Sequence, residues 1–184
     1  NSLPLFVAGL KDPESAAIVA DLLHLSSVDV ILNLTSFAVS DAAEDPMIMP
    51  APDGNINRSA GPFGCVDAPV LQVILASNRQ SDWVQSSAGL TARDLAMNVA
   101  LPELDGRILS RAIGFKSELV KHPLTHAMTT CYVVHHDRVN YVAALAAGWC
   151  RLRYKSNRNK QIGCILANYP NKDSRIANGV GLDT

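Results

Sequence analysis

The chain has 184 residues, 48% of them hydrophobic and 18% charged, a globular composition that excludes an intrinsically disordered chain. With 16 basic against 17 acidic residues the net charge is −1, so neither a nucleic-acid footprint nor a polybasic membrane patch is present. No apolar run approaches the roughly 20 residues of a spanning helix, no secretory leader is visible, and a cytoplasmic setting is expected.

LPLFVAGL, residues 3–10, has the length and apolarity of a strand. Asp12 followed by Pro13 then reads as an N-cap with proline in the first helical turn, and apolar residues recur through AAIVADLLHL. VDVILNLTSFA, residues 28–38, is a second near-continuous apolar run, so residues 1–38 are predicted to form a βαβ unit on a buried parallel sheet. Residues 39–67 are rich in proline and glycine and predict a loop excursion. APVLQVILAS, residues 68–77, brings the chain back as a third strand and opens a further α/β portion, residues 68–184.

A short helix is expected near Ser81, and another in GLTARDLAMNVAL, with Thr91 as cap and Asp94 three positions on as an acidic capping box. RILSRAIGF, 107–115, is a predicted strand, and residues 116–136 carry no clear pattern. Apolar residues fall at helical spacing from Asp137 to Tyr154, with basic residues closing the run, which predicts a long helix over about 137–154. QIGCILANY, 161–169, reads as the last strand. The expected fold is α/β: a mainly parallel sheet with flanking helices, Rossmann- or flavodoxin-like. The missing initial methionine and the long polar tail predict that residues 1–184 are a fragment of a larger multidomain chain.

Several functional motifs are absent. There is no GxxxxGK[ST] phosphate loop and no GxSxG elbow, and NGVGLD in the tail lacks the third glycine of a dinucleotide fingerprint. Cys65, Cys131, Cys150 and Cys164 form no CxxC pair, and Cys150 and Cys164 read as buried free thiols. His122 and His126 would share a helical face, but Pro123 steers His122 away from helix, so these and the adjacent His135 and His136 read as loop histidines rather than a stable metal site.

Polar residues at the ends of apolar runs carry more weight, because parallel sheets bind ligands beyond their strand ends. Asn33, Thr35 and Ser36 close one run, Ser77, Asn78 and Arg79 another, and Asn168 and Tyr169 a third, while Gln72 lies inside an otherwise apolar strand. VALPELDGR places Glu103, Asp105 and Arg107 inside an apolar stretch. If the segment is extended, all three charges share one face.

LNLTSFA, PVLQVILAS, GLTARDLAMNVALPELDGRILSRAIGFK, the WCRLR helix and ILANYPNKDSRIANGVGLDT occur in that order, and together they resemble the large subunits of aerobic cobaltochelatases, the CobN type. That family is related to the magnesium chelatase large subunits. VALPELDG is shared by both branches, whereas NYPNKDSR followed by NGVGLDT sides with cobalt. The resemblance implies an ATP-dependent chelatase that inserts Co²⁺, as substrate, into hydrogenobyrinic acid a,c-diamide in cobalamin biosynthesis. It further implies that a separate AAA+ subunit hydrolyses ATP with its Mg²⁺ and works with an adaptor subunit.

Insertion needs ring protons removed, water stripped from the cation and the macrocycle held. A carboxylate can serve as proton acceptor and as transient oxygen ligand without trapping the metal. On that chemistry Glu103 is the expected proton acceptor or metal guide and Asp105 its assistant, both partly desolvated by their apolar flanks. Arg107 either pairs with Asp105 or holds a substrate carboxylate. Lys172 and Arg175 are candidate anchors for the acidic substrate, and Asn33, Thr35, Gln72 and Asn168 are candidate contacts. Two other readings stand beside this one: a non-catalytic scaffold or docking module of the same complex, and a magnesium-chelatase-type subunit acting on protoporphyrin IX.

Overall fold

The computed structural model describes residues 2–39, 58–163 and 165. Asn1–Arg153 form one compact unit and Tyr154–Thr184 a second. In the first unit β1 (Ile31–Asn33), β2 (Val70–Arg79) and β3 (Ile108–Lys116) run parallel. Beyond a small antiparallel hairpin of β4 (Val120–Lys121) and β5 (Met128–Thr129), β6 (Tyr132–Val134) joins β3 antiparallel and completes the sheet order β1-β2-β3-β6. The sheet is therefore mixed but mainly parallel, as the apolar runs predict.

The helices are α1 (Pro13–Ser26), α2 (Gln80–Gln85), α3 (Ala92–Leu95), α4 (Leu101–Leu104) and α5 (His136–Tyr154). Helix α1 starts as expected: Pro13 sits in its first turn, and the Asp12 carboxylate accepts from Ser15 N at 2.9 Å. Hydrogen bonding from the Ser15 side chain, and then from its backbone N–H, holds the Asp12 carboxyl below its ordinary value. Val19 and Leu23 then bury against Leu10, Val28, Ile31 and Phe63. A second cluster, Ile74, Ala76, Ala112 and Phe115, packs under Trp83, Leu90 and Val99. Helix α5 reaches from β3, where Arg138 Nε donates to Ala112 O, to the entries of β1 and β2, where Arg153 meets Asp29 and Asp67.

Residues 3–10 lie in no strand, so the predicted first arm of the βαβ unit is replaced by an irregular segment. Pro4 cannot donate to a ladder, and only Val7 and Leu10 of this run join the α1 core, while Phe6 is fully exposed. The 28–38 run pairs over only three residues, because the Asn33 side chain turns the backbone: its Oδ1 accepts from Thr35 N at 3.4 Å and from Thr35 Oγ1 at 2.9 Å. Cys150 is half-buried rather than buried, as is Cys65, and Cys131 is exposed. Cys164 lies outside the described residues.

The second unit contains a short 3-10 helix, Asn157–Asn159, with Lys160 Nζ donating to Asn157 Oδ1 at 2.8 Å. Residues 161–163 and 165 are in no strand, and the rest of the predicted last strand lies outside the described residues.

Candidate functional site

The charged stretch at 103–107 is the end of a helix and not an extended segment. Thr91 Oγ1 accepts from Asp94 N at 3.1 Å and caps α3. The helix then continues through a π-helical turn, Ala96–Ala100, into α4. Within that turn Leu101 N donates to Ala96 O, five residues back. The wider turn accommodates Pro102, which lacks an N–H and would crowd a regular ladder. Gly106, at φ +69°, ends the helix in a Schellman arrangement: Gly106 N donates to Glu103 O at 2.9 Å and Arg107 N to Pro102 O at 3.3 Å.

This turn separates the three charges. Arg107 is carried inward at the entry of β3, whereas Glu103 stays exposed one turn earlier. The shared face expected of an extended segment does not form, and Glu103 is not desolvated by its apolar neighbours. Arg107 and Asp105 form a buried pair, Nη2 to Oδ2 at 2.6 Å, with side chains 0% and 2% exposed. Burial pushes the Arg107 guanidinium down from its ordinary value, and the Asp105 carboxylate opposes that. The Phe63 ring lies 5.4 Å from the guanidinium carbon.

The polar network continues across the sheet. Arg107 Nη1 donates to Gln72 Oε1 at 3.1 Å, and Asn33 Nδ2 donates to the same oxygen at 2.8 Å. Gln72 Nε2 and Asn33 Nδ2 both donate to Thr35 O, at 3.0 and 3.1 Å. Asn33, Thr35, Gln72, Asp105 and Arg107 thus lie together and bond to one another, with Arg107 Nε left buried without a hydrogen-bond partner. Their register explains the meeting, since Asn33 pairs with Gln72 across the parallel β1–β2 ladder.

A second set of bonds ties the helix to strand ends. The Asp94 carboxylate accepts from Ser77 N at 2.9 Å and Ser77 Oγ at 2.8 Å, so it does not close the predicted capping box. Asn98, buried in the π turn, accepts from Ser36 Oγ at 2.6 Å. Phe37 N donates to Met97 O at 2.9 Å, and Val39 N donates to Asp105 Oδ2 at 2.8 Å. Sequence reasoning missed Asp94 and Asn98 as clamps. The available signal was a lone polar residue within the otherwise apolar AMNVAL.

Asn168, Lys172 and Arg175 lie outside the described residues. His122 and His126 occupy an exposed turn, where His122 Nδ1 accepts from Leu124 N and Thr125 N, both at 3.3 Å. Among the described residues no three His, Cys, Asp or Glu side chains gather as a metal site, and no helix is long and apolar enough to cross a membrane.

The family model described as CobN/Magnesium Chelatase matches residues 1–184. The chain belongs to the CobN/magnesium chelatase family. It is 40% identical to the aerobic cobaltochelatase subunit CobN of a Sinorhizobium species and 41% identical to that of Pseudomonas aeruginosa, over all 184 residues in both cases. It spans 14% of the length of each of these relatives. Identity falls to 25% over 171 residues with the chloroplastic magnesium-chelatase subunit ChlH of rice, covering 91% of this chain and 11% of that one. The solved catalytic subunit of cobaltochelatase from Mycobacterium tuberculosis shares the fold at a TM-score of 0.69 and 27% identity, covering 98% of this chain and 14% of that structure.

Proposed function

We propose that this chain is part of the tetrapyrrole-holding large subunit of a cobaltochelatase, which inserts Co²⁺ into hydrogenobyrinic acid a,c-diamide in cobalamin biosynthesis. Its higher identity to the CobN subunits than to ChlH favours cobalt over magnesium. ATP hydrolysis, with its Mg²⁺, is assigned to a partner AAA+ subunit acting with an adaptor subunit, in the cytoplasm.

The observation that carries the site is Glu103, an exposed carboxylate beside a helix C-terminus whose end is locked from below by the buried Asp105–Arg107 pair. A helix C-terminus carries partial negative charge, which favours an approaching cation. One exposed carboxylate can accept a ring proton and ligate Co²⁺ briefly, yet it holds the metal too weakly to keep it from the macrocycle. Glu103 is therefore assigned as proton acceptor and metal guide.

Asp105 is assigned as a positioning residue that acts through the turn. The scaffold reading is favoured for Asn33, Thr35, Gln72 and Arg107, because their polar groups are engaged with one another. Lys172, Arg175 and Asn168 are kept as candidate contacts for substrate carboxylates and amides.

The test is Glu103→Gln in the full-length subunit, reconstituted with its ATPase partners, with tetrapyrrole binding and cobalt insertion followed separately. The expected result is unchanged binding with insertion lowered by about two orders of magnitude or more. Near-normal insertion would overturn the assignment and leave PELDG as architecture.

A further inference from the structure

Phe37 occupies a position that neither its backbone nor its burial explains. Its φ is +68°, in the left-handed region that favours glycine and asparagine and penalises a bulky side chain. Its side chain gains little in return, because the residue is 51% exposed. Thr35, Ser36, Ala38 and Val39 around it are partly buried, and Leu34 is the other exposed side chain of the loop. Ser36 Oγ is bonded to Asn98, and Val39 packs with the α1 cluster. The loop itself is pinned by Phe37 N to Met97 O at 2.9 Å and Val39 N to Asp105 Oδ2 at 2.8 Å. Strain that is held this firmly, and that presents one aromatic ring outward, is characteristic of a contact surface.

The bond from Val39 N to Asp105 Oδ2 also fixes where the ring sits. Phe37 lies two residues before one end of this bond, and Glu103 lies two residues before the other. The ring and the exposed carboxylate are therefore carried on one pinned junction between the β1 loop and the end of α4.

We infer that Phe37 is a binding residue that lays its ring against the face of a flat, conjugated macrocycle while Glu103 addresses that macrocycle's inner nitrogens. This rests on the proposed function and adds a residue to it. Aromatic faces meet conjugated rings in offset or edge-on contact, with apolar area removed from water on both sides. The same contact sets how far the macrocycle enters, so the ring governs ligand affinity and placement while Glu103 governs the proton.

The experiment titrates hydrogenobyrinic acid a,c-diamide, followed by its absorbance, into the full-length subunit as wild type, Phe37→Asn and Phe37→Trp. Asparagine tolerates the left-handed backbone, so Phe37→Asn is expected to keep the melting temperature within a few degrees of wild type. The same variant is expected to weaken binding about tenfold or more, as loss of a stacked ring does. Phe37→Trp, which keeps an aromatic face, is expected to bind as wild type does. A folded Phe37→Asn that binds normally overturns the inference while leaving the proposed function intact. A wild-type subunit that does not bind the tetrapyrrole overturns both.

Discussion

At the scale of single residues, Arg107 and Asp105 show why charge in an apolar stretch need not mean chemistry. Each is desolvated, and the pair is stable only because the carboxylate, Gln72 Oε1 and the Phe63 ring surround the guanidinium. Removing one partner leaves the other charge buried without its counter-ion. Asp105→Ala should therefore lower folding stability by about 3–5 kcal/mol, whereas Asp105→Leu combined with Arg107→Met should cost less than the two single changes added. Glu103→Gln lies on the exposed side of the same turn and should change stability by no more than about 0.5 kcal/mol. Urea denaturation of these five variants, the two single changes included, separates the roles, and a costly Glu103→Gln would mean that Glu103 also supports the fold.

At the scale of elements, what the sequence discloses depends on how local the cause is. The caps at Asp12 and Thr91, strand β2 and helix α5 rest on neighbouring residues, and each matches its expected place. Residues 3–10 fail as a strand because apolarity alone does not supply a pairing partner. The meeting of Asn33 with Gln72 follows from strand register, which a single sequence does not display. PELDG is legible as an unusual stretch, but its helical conformation is not, since its glycine is the C′ residue of a helix that a π turn has carried past a proline. That glycine can be tested alone. A Cβ at Gly106 would meet nothing within 4 Å, so Gly106→Ala isolates the backbone cost of φ +69°. The expected loss is about 1–2 kcal/mol, and it should be smaller for Gly106→Asn. Equal losses for both variants in urea denaturation would mean that something other than the backbone conformation is lost.

At the scale of the whole molecule, the sheet is most deeply buried at its centre among the described residues. Strand β2 is buried along most of its length, as an interior parallel strand should be. Its neighbours are not: Leu32 on β1 is 42% exposed, Leu109 on β3 is 50% exposed, and Tyr132, Val133 and Val134 on the edge strand β6 are all exposed. Apolar side chains on the edge strands β1 and β6, and on the part of β3 beyond its pairing with β6, offer a surface for a further chain. The 184 residues span 14% of the length of the CobN relatives. The 184-residue chain alone should therefore enhance the fluorescence of an apolar dye and self-associate as its concentration rises, read by sedimentation. Leu109→Lys and Val133→Lys should reduce both, since charge on an edge opposes strand addition. A wild-type chain that stays monomeric and dye-silent at high concentration would show that its outer strands are covered from within.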